Sequence, residues 1–202
     1  MYSNKRLATL GLTTALILGT AVNVYADTSF SDVPSSHWAY SYIQEASENG
    51  WVTGKGNNIY DPEGKVTTAE FYTLLARAFY GSEVPSTAQS GQWYSDKWYG
   101  PYYEVGLKHD FDNLYLNKVD CAMDIEGSLN RSGMASLITG VLKDKGITIS
   151  DAEYNNAKAK IPDINTTTEH YQQGIVTVYA LGIITGVDNA GNFNAGGFMT
   201  RA

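Results

Sequence analysis

Cysteine is all but absent: Cys121 is the single one in 202 residues. No disulfide can form within the chain, so a fold of this size must rest on its apolar core, and Cys121 is expected to be a small buried or half-buried residue. Positive charge is also scarce, with 14 basic against 21 acidic residues and a net charge of −7. That balance excludes nucleic acid and anionic lipid as partners, since both need clustered Lys and Arg. It leaves room for an anionic polymer held by a few local cations. Beyond residue 24 there is no apolar run long enough to cross a bilayer. His37, His109 and His170 show no metal-ligand spacing; His37 and His170 sit beside expected helix starts and read as cap or surface residues. Asp110-Phe111-Asp112-Asn113 matches the start of a calcium loop, but Leu114 and Tyr115 stand where a ligand and a glycine belong. There is no Gly-x-Ser-x-Gly, no phosphate loop and no carboxylate pair that stands out. Neither catalytic residues, nor a cofactor, nor a metal site is expected.

What is present begins with an export leader. Lys5 and Arg6 give a positive start, residues 7–24 an apolar core, and Val24-Tyr25-Ala26 a small-x-small cleavage site. Residues 1–26 therefore read as a signal peptide, with Asp27 as the first mature residue. An uncleaved membrane anchor is the alternative; Thr13, Thr14, Thr20 and Asn23 weaken it. Cleavage leaves 12 basic residues and a net charge of −9. Fifteen Tyr and four Trp suit carbohydrate faces as well as a core.

The rest of the chain repeats itself. Phe30-Ser31-Asp32-Val33-Pro34, His37-Trp38-Ala39, Gly50-Trp51-Val52-Thr53-Gly54 and Val66-Thr67-Thr68-Ala69-Glu70-Phe71 return as Pro162-Asp163-Ile164, Tyr171, Gly182-Ile183-Ile184-Thr185-Gly186 and Met199-Thr200-Arg201-Ala202. Trp38 precedes Thr67 by the interval that separates Tyr171 from Thr200. Between them lies a divergent version, with Asp96, Trp98, Pro101 and Asn130-Arg131-Ser132-Gly133. A period of roughly 50 residues marks units that bury their apolar faces on one another. Each unit reads as helix, loop, helix. Trp38, Tyr42, Ile43 and Ala46 have helical spacing and Gly50 stops the turn. Thr67 and Glu70 form a capping box before a stripe of Phe71, Leu74, Leu75, Ala78 and Phe79. Asn130 caps a matching stripe of Met134, Leu137, Ile138, Val141 and Leu142, which Gly146 ends. Ser150 and Glu153 open a short polar helix. Tyr171, Ile175, Val178, Tyr179 and Leu181 precede the stop at Gly182. Thr200 stands where a cap for one more helix is expected, so the sequence reads as an N-terminal piece of a longer protein or as a truncated gene product.

These motifs resemble the S-layer homology repeat over nearly all of the mature chain, most clearly in the first and third units. The resemblance implies an all-α fold of tandem helix-loop-helix repeats about a pseudo-threefold axis: 27–81, a divergent 92–146, a spacer helix 147–160, and 161–202, incomplete. It also implies a non-catalytic module that anchors an exported protein to the cell surface by binding a secondary cell wall polysaccharide, often with a pyruvylated sugar terminus. An Arg fork at a helix start suits the carboxylate of such a ketal. Carried over by position, the implied ligand residues are Arg131 and Arg201, with Thr68 in place of an arginine in the first unit. They also include the aspartates Asp32, Asp96 and Asp163, the aromatics Trp38, Trp98 and Tyr171, and Glu70. For the aspartates and Glu70, turn and cap duties are an equal reading; for Trp38, a place in the core comes first. Arg131 sits where the helix dipole disfavours a cation, so its truncation is expected to weaken binding rather than folding. S-layer lattice neighbours are further expected partners. The alternatives are the N-terminal part of a wall-bound hydrolase or of an array-forming S-layer subunit.

Overall fold

The computed structural model describes residues 29–111 and 125–202. The leader, Cys121 and the failed calcium loop beyond Phe111 lie outside the described residues. Within them the fold is all-α: α1 Tyr40–Glu48, α2 Thr68–Tyr80, α3 Gly100–Lys108, α4 Arg131–Asp144, α5 Asp151–Lys158 and α6 Glu169–Ala180, plus 3₁₀ turns at Gly81–Glu83 and Ile164–Thr166. No described helix is long and apolar enough to cross a membrane.

Helix starts follow the expected chemistry. The Thr67 hydroxyl accepts from the Glu70 amide at 3.2 Å while Glu70 Oε2 accepts from the Thr67 amide at 2.8 Å, closing the capping box. Ser150 and Glu153 repeat it on α5. The Asn130 side chain accepts from the Gly133 amide at 2.8 Å. Pro101 occupies the first turn of α3. Helix ends depend on left-handed residues: Gly50 (φ +71°), Gly146 (+71°) and Gly182 (+69°), with Asp110 (+54°) doing the same after α3.

Three features depart from the sequence reading. Phe79 is 52% exposed whereas Tyr72 is fully buried. The reason is that α2 packs along both α3 and α4, so its buried face swings toward Ala69, Tyr72, Ala76 and Tyr80 and is wider than one stripe. Trp38 precedes α1 and is 69% exposed; Ala39 turns inward there instead. Counted back from the left-handed glycines, His170 rather than Tyr171 stands level with Trp38, because the stretch from Gly182 to Thr200 is one residue longer than that from Gly50 to Thr67.

The segments before α2, α4 and Arg201 meet in a closed ring of backbone hydrogen bonds. The Val66 amide donates to Met199 C=O, the Met199 amide to Leu129 C=O, and the Leu129 amide to Val66 C=O, at 3.0, 3.0 and 2.9 Å. Three isolated antiparallel bridges, Lys65–Thr200, Thr67–Ser128 and Asn130–Phe198, flank it. A second set of bonds passes round it in the opposite sense. The first amides of α2, Thr68 and Ala69, donate to Gly127 and Ile125; those of α4, Arg131 and Ser132, to Gly197 and Ala195; Arg201 and Ala202 to Gly64 and Pro62. The first donors of α2 and α4, which have no partner inside their own helix, thus find carbonyls on a neighbouring loop. Around the ring α2 packs on α3, α4 on α6, and α5 on α6.

Candidate functional site

The aspartates act on loops. Asp32 Oδ1 and Oδ2 accept from the amides of Tyr60 and Asp61 at 2.9 and 2.6 Å; Asp163 does the same for Phe193 and Asn194, both at 2.7 Å. Burial raises the Asp32 carboxyl, but the Tyr60 and Asp61 amides and the nearby Arg201 charge outweigh it, leaving the group below the usual carboxylate range. Asp96 is exposed, and the loop that would correspond to those of Tyr60 and Phe193 lies outside the described residues.

Arg201, and Arg131 at the start of α4, each grip a loop that an aspartate shapes. Arg201 donates from Nε to Tyr60 C=O (2.8 Å), from Nη2 to Thr53 C=O (3.0 Å) and from Nη1 to Glu70 Oε1 (2.7 Å), with its guanidinium 4.6 Å from the Tyr60 ring centre. Arg131 donates from Nε to Phe193 C=O (2.7 Å) and from Nη2 to Thr185 C=O (2.6 Å), and lies 4.7 Å from the Phe193 ring centre. These contacts answer why a cation sits against the dipole: it fastens one stretch of chain to the next. They also give Arg131 a part in holding the fold, beside the expectation that its truncation weakens binding rather than folding. Burial lowers the Arg131 pKa, with the Asp163 charge opposing. Thr68 and Gly133, level with Arg201 and Glu70 by sequence, are both buried.

Three expected residues converge on one groove. Arg201, Glu70 and Trp98 line a depression of about 250 Å³ together with Trp51, Lys55 and Arg77. A second depression, bordered by Thr67 and Glu126, shares Glu70 and Trp98 with it. Glu70, Thr73, Leu74 and Arg77 recur at helical spacing along this side of α2. Glu70 is committed on both oxygens, to the Thr67 amide and to Arg201. Arg77 is differently placed: its Nη2 donates to the neutral Tyr102 hydroxyl at 2.8 Å, and among the described residues no carboxylate pairs with it. Lys55 has only an exposed pair with Asp61 at 2.9 Å, the kind that exchanges readily. Trp98 is 60% exposed. The groove therefore offers an uncovered aromatic face beside two available cations. Trp51, Lys55 and Arg77 were missed as site residues; the α2 spacing from Glu70 to Arg77 was the signal that could have found the last. Trp38 stands apart, stacked on His37 at 5.9 Å.

The family model of the S-layer homology domain matches residues 29–71. Over 191 residues the chain is 28% identical to an S-layer protein of Bacillus thuringiensis subsp. finitimus, covering 91% of this chain and 21% of that protein. It is 27% identical over 191 residues to the S-layer protein sap of Bacillus anthracis, covering 91% and 22% respectively. A shorter match, 31% over 65 residues, links 32% of the chain to 12% of an uncharacterized cell wall amidase of Bacillus anthracis. The chain thus spans about a fifth of the length of the S-layer relatives it matches. Residues 29–71 therefore match the S-layer homology domain, and over most of its length the chain is similar to S-layer proteins.

Proposed function

We propose that this chain is a non-catalytic module that anchors an exported protein to the cell wall by binding a secondary cell wall polymer with a pyruvylated sugar terminus. The S-layer homology domain and the S-layer relatives support the anchoring role and a cell-surface location. Matches to both S-layer proteins and a cell wall amidase suit an anchor fitted to different cargo. The stretches 27–81, 92–146 and 161–202 are read as repeats about a pseudo-threefold axis; the two opposed sets of backbone hydrogen bonds around the ring support this.

The observation that carries the ligand is the Trp98–Arg77 side of the groove. A sugar ring presents C–H bonds to an exposed indole, while a ketal carboxylate takes Arg77 and draws Lys55 from Asp61. Arg201 and Glu70 hold the wall of the groove in place. The test is sedimentation with cell wall sacculi. The protein should pellet with sacculi that retain their secondary polymer and stay in solution with acid-stripped ones. Equal pelleting on bare peptidoglycan would reject the polymer as ligand.

A further inference from the structure

We infer that the depression beside Glu126 is a second sugar subsite, which takes an uncharged ring next to the acidic sugar and accepts its hydrogen bonds at Glu126 Oε2. The inference rests on the reading of the Arg77–Trp98 side of the groove as the seat of the acidic sugar. The depression measures about 280 Å³ and is bordered by Thr67, Ala69, Glu70, Trp98 and Glu126. Glu70 and Trp98 border the cationic groove as well. A glycan seated on one side of Trp98 therefore meets the other side at its next unit. The indole is 60% exposed and stands at 87° to the buried Tyr99 ring, with 5.5 Å between centres. An uncovered aromatic face suits the C–H face of a sugar.

Glu126 is built as an acceptor with one oxygen spare. The Tyr99 hydroxyl donates to Oε1 at 3.1 Å, and the Lys97 ammonium meets the same Oε1 at 3.2 Å. Among the described residues nothing meets Oε2, and the side chain is 61% exposed. Hydrogen bonds from Lys97 and then Tyr99 hold the carboxyl below its ordinary 4.5, so it is ionised at neutral pH. Burial, and then the bond to Glu126, push the Tyr99 hydroxyl up to about 12, so it stays a donor. Each carboxylate bordering the depression already has its cation: Lys97 for Glu126, Arg201 for Glu70. What remains is a directed acceptor whose charge is balanced. It selects a hydroxyl or amide donor on a neutral ring rather than a second cation.

The test is calorimetric titration of two probes from the purified secondary polymer, the pyruvylated sugar alone and the disaccharide that includes its next unit. Wild-type protein should bind the disaccharide about tenfold more tightly, the gain expected of a hydrogen bond to a charged group. Glu126→Ala should remove most of that gain and leave affinity for the single sugar unchanged. Glu126→Gln keeps an oxygen for Tyr99 and Lys97 but puts an amide NH₂ where Oε2 stood; it should melt like the wild type and lose the same gain. Equal affinity of wild-type protein for the two probes would overturn the subsite, as would a gain that survives in both variants. Failure of the underlying reading looks different: the single sugar would bind Arg77→Gln and wild type alike, and the subsite would fall with it.

Discussion

At the residue scale, Arg131 at the start of α4 and Arg201 have structural work first. Arg201→Ala removes three hydrogen bonds and strands Glu70 and two carbonyls in a contact where the arginine side chain is 8% exposed. A loss of about 2–3 kcal/mol is expected by urea denaturation. Arg131→Ala should also lower the melting temperature, by a smaller amount since it leaves no carboxylate behind; an unchanged midpoint would restore the sequence expectation. Trp98 is the opposite case. Because it is mostly exposed, Trp98→Ala should leave the melting temperature within error yet weaken polymer binding by about tenfold or more. The residue scale also holds a pH response. His109 sits between Glu83 (3.0 Å) and Asp144 (3.1 Å), against the Tyr80 ring, with Lys108 on Glu83 and Lys145 over Tyr80. Hydrogen bonds from Lys108 and then His109 hold Glu83 below its ordinary 4.5, and those from Tyr80 and then His109 hold Asp144 below 3.8. A carboxyl whose folded pKa is depressed stabilises above its unfolded pKa and loses that contribution as pH falls through the folded value. Stability should therefore decline as pH drops below about 4.5, and His109→Gln should make that acid decline shallower. Superimposable melting curves against pH for the two proteins would show that the histidine contact does not contribute.

At the element scale, two glycines separate two kinds of constraint. Gly182 has open space around its Cα but a φ of +69°. Gly182→Val should cost on the order of 1–2 kcal/mol through backbone strain alone. Gly106 has an ordinary helical backbone, but a Cβ there would fall 2.2 Å from the Tyr72 ring and 3.0 Å from Phe111. Gly106→Ala must push α3 off α2, at about 1–3 kcal/mol, and Tyr72→Leu in the same chain should recover part of it. If the two changes prove additive in denaturation, the contact is not the cause. Helices were legible in the sequence because caps, left-handed stops and apolar spacing are local: Thr67 with Glu70, Ser150 with Glu153, Gly50 and Gly182 all act within a few residues. Burial was less legible. Which side of α2 is covered depends on α3 and α4, so Phe79 and Tyr72 exchanged places relative to the simple stripe.

At the scale of the whole molecule, three distant stretches are joined through backbone groups that no side-chain pattern announces. The acceptors Gly64, Gly127 and Gly197 lie in loops, and the ring of Val66, Leu129 and Met199 uses amides and carbonyls only. Repetition indicated that the stretches should pack together; it did not say that a helix start of one would bond the loop of another. The same limit applied to the groove. Arg201, Glu70 and Trp98 were individually named, but their meeting with Trp51, Lys55 and Arg77 depends on those non-local bonds. The central claim is that this groove holds an acidic wall glycan through Trp98 and Arg77. Its most direct measurement is calorimetric titration of purified secondary polymer fragments, with and without their pyruvate ketals, into the wild-type protein and Arg77→Gln. Wild-type protein should bind the pyruvylated fragment at least tenfold more tightly than the depyruvylated one, and Arg77→Gln should erase that difference while melting at a similar temperature. Equal affinity of the folded Arg77→Gln protein and the wild type for the pyruvylated fragment would contradict it.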